Sequence, residues 1–180
     1  DIMTANALSR SFSLLLNKGP GALGEAVNIE TSGQPMHMVA ADLDGDGYPD
    51  VAAANAGDNF ATVLPNDGAG GFGEPQSYAL EDCAQSVAAG DLDGDGDIDL
   101  ALAGSDEHLA VLLNNGDGSF GPAITMLAVK NPSSVSAMDW NGNGRLELLV
   151  ASFGSHFIAV YSHKGGGVFE KREEIGLSPW

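Results

Sequence analysis

Asp42-Leu43-Asp44-Gly45-Asp46-Gly47-Tyr48-Pro49-Asp50 returns as Asp91-Leu92-Asp93-Gly94-Asp95-Gly96-Asp97-Ile98-Asp99, and again, altered, as Asp139-Trp140-Asn141-Gly142-Asn143-Gly144-Arg145-Leu146-Glu147. Oxygen-bearing side chains stand at positions 1, 3, 5 and 9 of each run, with glycine at 4 and 6. A hard cation such as Ca²⁺ takes roughly six to eight oxygens at about 2.3–2.6 Å, so the chain must curl tightly around it. Glycine permits the curl, and position 7 offers its backbone carbonyl whatever its side chain. The pattern predicts a calcium loop. It is not an EF-hand, because the twelfth position is Ala53 or Leu102 where a bidentate Glu is required.

The loops begin at Asp42, Asp91 and Asp139, spacings of 49 and 48 residues, so one supersecondary unit fills each repeat. A run of mostly small residues precedes each loop: Met38-Val39-Ala40-Ala41, Val87-Ala88-Ala89-Gly90, Val135-Ser136-Ala137-Met138. An apolar run follows it: Val51-Ala52-Ala53-Ala54, Leu100-Ala101-Leu102-Ala103, Leu148-Leu149-Val150-Ala151. After a polar turn comes a third run, such as Leu109-Ala110-Val111-Leu112-Leu113, and after a glycine-rich turn a fourth, such as Ala123-Ile124-Thr125-Met126-Leu127. Short apolar runs punctuated by Gly, Asn and Asp predict strands, and no stretch sustains a helical period. Four strands per repeat of roughly 40–50 residues predict an all-β fold of β-propeller blades, each of four antiparallel strands. Small residues suit the crowded strand beside the axis. The second and third runs, apolar on both faces, suit a sheet sandwiched between sheets.

Ser86-Val87-Ala88-Ala89-Gly90 with the loop and Leu100, and Leu112-Leu113-Asn114-Asn115-Gly116-Asp117-Gly118-Ser119-Phe120-Gly121, resemble the FG-GAP/VCBS repeats of integrin α-subunit heads and many bacterial surface proteins. The resemblance runs through essentially the whole chain. It implies a propeller with protein or carbohydrate ligands; the fold itself serves many tasks.

Asp1-Ile2-Met3-Thr4-Ala5-Asn6 aligns with Asp50-Val51-Ala52-Ala53-Ala54-Asn55, so Asp1 holds position 9 of a loop. The expected organisation is about 3.75 blades: a partial blade over 1–36 lacking its inner strand, then blades over 37–85, 86–133 and 134–180. Propellers close with about four to eight blades, so the expectation is part of a larger ring, or one completed by a second chain or a further segment.

The chain carries 25 acidic and 7 basic residues, net charge −18. A nucleic-acid backbone is therefore a poor partner. Cys83 is the only cysteine and excludes an internal disulfide. No long apolar span predicts a membrane crossing. Millimolar calcium is an extracellular condition, so the expected location is extracellular or at the cell surface.

Candidate Ca²⁺ ligands are Asp42, Asp44, Asp46 and Asp50, then Asp91, Asp93, Asp95 and Asp99, with the carbonyls of Tyr48 and Asp97. The third loop offers Asp139, Asn141, Asn143, the Arg145 carbonyl and Glu147, with less negative charge, and is expected to bind more weakly. At extracellular affinities each ion adds only about 0.4–1.4 kcal/mol at about 1 mM, a structural role that also locks a turn. Ligand binding is expected on the opposite face. That face carries the connections Gln34-Pro35-Met36-His37, Cys83-Ala84-Gln85, Asn131-Pro132-Ser133 and Pro179-Trp180, and the turns 55–60, 104–108 and 153–157. Asp58, Asn59, Glu107, His108, His156 and Trp180 suit hydrogen bonding and sugar stacking. His37 should point away from Met36 and Met38. No nucleophile elbow, zinc-protease motif or phosphate loop is present, so the expected function is non-enzymatic adhesion or recognition. The rivals are an accessory or catalytic propeller domain of a polysaccharide-active enzyme, and a structural spacer.

Overall fold

The computed structural model describes residues 1–104, 107–154 and 156–177. The first blade holds β1 (Ile2–Asn6), β2 (Ser11–Leu15), the hairpin β3 (Asn17–Gly19) and β4 (Ala22–Leu23), and β5 (Val27–Glu30). The second holds β6 (Pro35–Ala41), β7 (Asp50–Asn55), β8 (Phe60–Leu64) and β9 (Gln76–Ala79). The third holds β10 (Ala84–Gly90), β11 (Asp99–Gly104), β12 (His108–Leu112) and β13 (Ile124–Leu127). The fourth holds β14 (Pro132–Met138), β15 (Glu147–Ser152), β16 (Phe157–Gly165) and β17 (Val168–Gly176). Each of the last three is a four-stranded antiparallel sheet in chain order, while the first sheet is β1-β2-β5. The row of sheets is not closed into a ring.

Strand periodicity sorts the core between seams. In β11, Leu100 and Leu102 face the second blade, where they meet Ala52 and Ala54 of β7. Ala101 and Ala103, on the other face, pack toward Leu148 and Val150 of the fourth blade. Large residues thus meet small ones across these two seams. Val51, Ala53, Leu64 and Phe12 make the seam between the first two blades. Each fully buried Leu or Val contributes about 1.5–3 kcal/mol relative to exposure.

The inner strands begin three residues before the small-residue runs predict. Pro35 pairs with Asn55, Ala84 with Gly104 and Pro132 with Ser152, each followed by a bulge at Met36, Gln85 or Ser133. Proline is tolerated there because it opens an edge strand. The bulge removes Met36 from strict alternation, while His37 turns to the third blade and Met38 packs on the other side against the first. His37 Nδ1 accepts from the Val87 N–H of β10 at 3.3 Å, and Ser86 Oγ accepts from the Val135 N–H of β14 at 3.2 Å. Equivalent positions in successive repeats therefore clasp each inner strand to the next.

In the first sheet β1, the counterpart of β7, is itself an edge. Between it and β6 runs a groove of about 450 Å³, lined among others by Ile2, Leu14, Met38, Val39 and Phe72. No helix among the described residues is long and apolar enough to cross a membrane.

Candidate metal loops and the opposite face

In all three loops the position-1 carboxylate takes the N–H of position 6: Gly47 to Asp42 at 3.0 Å, Gly96 to Asp91 at 3.1 Å, Gly144 to Asp139 at 2.8 Å. That contact needs the chain to turn back on itself within five residues. Positions 4 and 6 supply the turn with left-handed backbone, φ 75° and 90° at Gly45 and Gly47 and 93° and 100° at Gly94 and Gly96.

Position 9 opens the second strand and is driven into the interior. Asp50 and Asp99 are 2% and 1% exposed. Each is held by two backbone donors. Leu43 N–H and Asn66 N–H reach Asp50 at 2.9 and 2.7 Å, and Leu92 N–H and Asn114 N–H reach Asp99 at 2.9 and 2.8 Å. The buried carboxylate thus ties the loop to the end of the third strand. Asp1, though exposed, likewise accepts from Asn17 N–H at 2.7 Å.

With position 9 anchored, oxygens of Asp42, Asp44 and Asp50 converge within 4.8 Å of one another, and so do those of Asp91, Asp93 and Asp99. Asp46 and Asp95 lie outside these groups. Their Oδ1 atoms accept from Tyr48 N–H at 2.8 Å and Asp97 N–H at 2.9 Å, holding the curl. The Tyr48 ring lies over Gly68 and the Asp97 carboxylate beside Gly116, so position 7 leans on the turn after the third strand.

Crowding carboxylates in a partly dry loop is unfavourable. Burial pushes Asp99 up to about 6, with Asp93 and Asp95 adding to it against the two backbone donors. Asp44 is also raised, by desolvation first and then by Asp50, Asp46 and Asp42. Asp42 Oδ1 is buried without a hydrogen-bond partner. A buried carboxylate oxygen without a donor is costly, and a cation relieves it. The first two loops therefore fit Ca²⁺: hard oxygen donors, convergent, with negative charge in excess.

The third loop is built differently. Asn141 Nδ2 donates to Glu147 Oε1, and Trp140 N–H donates to Glu147 Oε2 at 3.0 Å. Asp139 Oδ1 takes both Gly142 N–H at 2.8 Å and Asn143 N–H at 3.0 Å. The Arg145 N–H is held by Asn143 Oδ1 at 2.8 Å. An amide–carboxylate contact stands where the other loops gather carboxylates.

The asparagines after the third strand are residues to which the sequence reading assigned no role. Asn114 Nδ2 reaches across the seam to the Leu43 carbonyl at 2.7 Å, inside the second blade's loop, and to Ile98 O at 2.9 Å. Asn66 Nδ2 reaches Pro49 O at 2.9 Å. The signal was available: Asn17, Asn66 and Asn114 recur, each with glycine two residues later.

On the opposite face most of the expected polar residues are spent on the scaffold. Asp58 accepts from Gln34 N–H at 3.0 Å and lies 3.8 Å from Arg10. Asn59 Nδ2 donates to Glu81 O at 3.0 Å, Glu107 lies 3.9 Å from Lys130, and His108 Nδ1 meets Asp82. His156 is exposed. Pro179 and Trp180 lie outside the described residues, as do Ser105, Asp106 and Ser155 of the turns. Among the described residues, the non-glycine positions with left-handed backbone are Arg10, Glu107 and Asn131, and all three are on this face. A cleft of about 280 Å³ opens there between Gln85, Asn131, Pro132, Ser133 and Phe153.

Similarity to solved structures agrees with the fold. A lectin from Agrocybe aegerita that recognises non-reducing terminal N-acetylglucosamine is 24% identical, with TM-score 0.62 over 90% of this chain and 46% of the lectin. A mutant NanB sialidase from Streptococcus pneumoniae is 12% identical, with TM-score 0.62 over 94% of this chain and 29% of the sialidase. BBS1N, in its complex with ARL6DN, is 14% identical, with TM-score 0.61 over 94% of this chain and 48% of that one. The chain thus spans less than half the length of each. No curated protein matches it. The FG-GAP-like repeat matches three times, over residues 1–53, 42–102 and 91–150, and the chain belongs to this repeat family.

Proposed function

We propose that this chain is a calcium-stabilised, non-enzymatic recognition segment of an extracellular propeller, with its ligand, protein or carbohydrate, on the face opposite the calcium loops. One observation carries the calcium: two separate loops aim three carboxylates at one point, and in the first a buried Asp42 oxygen has no donor. The residues that would hold the ion are Asp42, Asp44 and Asp50, then Asp91, Asp93 and Asp99. Bound there, Ca²⁺ neutralises the cluster and fixes the turn between the first and second strands of a blade.

The recognition reading is supported by where the backbone is unusual. Left-handed non-glycine residues collect on the opposite face, and such conformations persist where structure is built to a purpose. The similar lectin and the similar protein-complex component are examples of both ligand classes on this fold.

Calorimetric titration of the chelated protein with Ca²⁺ tests the calcium reading. Two ions should bind per chain, at about 10⁻⁴–10⁻³ M, with a rise in thermal stability. No heat and no stabilisation at about ten times those concentrations would sink it. Recognition is tested by displaying the calcium-loaded chain to glycan and protein arrays; binding without turnover is expected, and product release would move the chain to the enzymes.

A further inference from the structure

Phe153 is 79% exposed in the turn that follows β15. The preceding repeats carry Ala7, Ala56 and Ser105 at this place. The turn does not need the ring. Phe153 N–H donates to Asn131 O at 2.9 Å, just as Ala56 N–H donates to Gln34 O at 3.0 Å. A constant backbone therefore presents an aromatic side chain in one blade and a methyl group in another. Water contact with so much apolar surface is unfavourable, and nothing in the turn's own hydrogen bonding compensates for it.

The ring is one wall of the cleft between the third and fourth blades. Gln85 and Asn131 line it and are both exposed, and no described residue hydrogen-bonds either side-chain amide. Ser133 Oγ donates to Ala151 O at 3.3 Å and keeps its acceptor capacity. The frame is stiff. Pro132 is buried and paired in β14, Asn131 sits at φ 47°, and Ser152 Oγ holds the Lys130 carbonyl beneath it.

An apolar ring face beside groups that both donate and accept hydrogen bonds matches a pyranose, which has a C–H face and an equatorial rim of hydroxyls. A volume of about 280 Å³ suits a single sugar ring. The net charge of −18 disfavours sialic and uronic acids. We propose that the cleft of Gln85, Asn131, Ser133 and Phe153 binds one neutral pyranose of a glycan, stacked on Phe153 and hydrogen-bonded by the two amides. This rests on the recognition reading and gives it a place and a ligand class.

The test is saturation-transfer NMR on the calcium-loaded chain with the methyl glycosides of glucose, galactose and mannose, N-acetylglucosamine, and glucuronic acid. At least one neutral sugar should bind with a Kd of about 1 mM, with glucuronic acid weaker. Phe153→Ala should weaken it roughly 5- to 10-fold and Phe153→Tyr should restore it. Gln85→Ala, in an exposed bulge that carries no core, should weaken it several-fold, and calcium-dependent stability should not move in any of these variants. Neutral sugar bound equally by the wild type, Phe153→Ala and Gln85→Ala overturns the cleft while leaving recognition elsewhere on the face intact. No neutral sugar bound at tens of millimolar also overturns the cleft, and the array experiment then judges recognition separately.

Discussion

Loops 42–50 and 91–99 each gather three carboxylates that repel one another, whereas loop 139–147 meets its own needs with an Asn141 amide against Glu147. The three share a backbone curl and a position-1 carboxylate that closes it. They differ in what neutralises the interior. The same turn is therefore reached by two electrostatic routes, one that calls for a cation and one that does not. Which route a loop takes is set by two side chains, at positions 3 and 9, while position 5 holds the curl in all three.

The largest effect expected from this difference is at position 9. Asp99→Ala leaves the Leu92 and Asn114 N–H groups without their acceptor in the interior, at about 1–3 kcal/mol for each group, less some relief from removing a desolvated carboxylate. Urea unfolding in chelator should show a loss of about 2–4 kcal/mol, against about 1–2 kcal/mol for Glu147→Ala, which strands one backbone donor. Equal losses would erase the distinction between the loops.

Next comes stoichiometry. Asp44→Ala and Asp93→Ala should each delete one calcium equivalent in calorimetry, weakening that site at least about tenfold. Converting the third loop with Asn141→Asp, Asn143→Asp and Glu147→Asp should add a site of comparable strength. A third loop that binds as tightly as the others without those changes would show that Asn141 and Glu147 part readily for the ion.

Acidity separates the routes in a third way. Asp99 titrates near 6 in the folded chain, above the roughly 3.9 of an unfolded aspartate, so between those values the folded state holds the extra proton. Stability of the metal-free protein should consequently fall as pH rises from about 4 to 6. Thermal melts in chelator are expected to run higher at about pH 5 than at about pH 7, and calcium should reverse the order by competing with the proton. A metal-free melting temperature that climbs with pH through this window contradicts the crowded-carboxylate account.

The smallest effect concerns the seams. Asn114 ties the third blade to the second blade's loop, but its counterpart in the fourth blade, two residues past the partner of Leu148, is His163, whose Nε2 is buried without a partner, as is the Ser162 Oγ beside it. His163 lines a small cleft against Asp91, Leu92 and Asp93. His163→Asn should restore a tie to the third blade's loop and stabilise the chain by up to about 1 kcal/mol in the same urea assay, and a loss would mean that the packing of the His163 ring on Phe169 outweighs the new bond.

Much of this was legible in the sequence because the fold is written locally. A nine-residue loop with oxygens at fixed spacing dictates its own curl, and repetition every 48 or 49 residues exposes the blade without knowledge of any distant contact. Leu-Ala-Leu-Ala in β11 announces a strand buried on both faces, because side chains alternate. The place of each loop between the first and second strands of its blade followed from the same pattern.

Contacts between repeats decided the rest. That Asp46 and Asp95 serve the curl and lie outside the convergent carboxylates depends on how position 9 is pinned, and the pin includes Asn66 and Asn114, 16 and 15 residues downstream. The reach of Asn114 to Leu43 spans 71 residues and exists only because two sheets pack face to face. On the opposite face, composition alone treats Asp58, His108 and Phe153 as equally available. Packing spends the first two on Gln34, Arg10 and Asp82, and leaves the third in the open. Sequence determined which chemistry each repeat carries, through spacing along the chain. Tertiary structure decided which of those groups are satisfied by neighbours and which remain free to bind, because satisfaction depends on residues that adjoin in space and stand far apart along the chain.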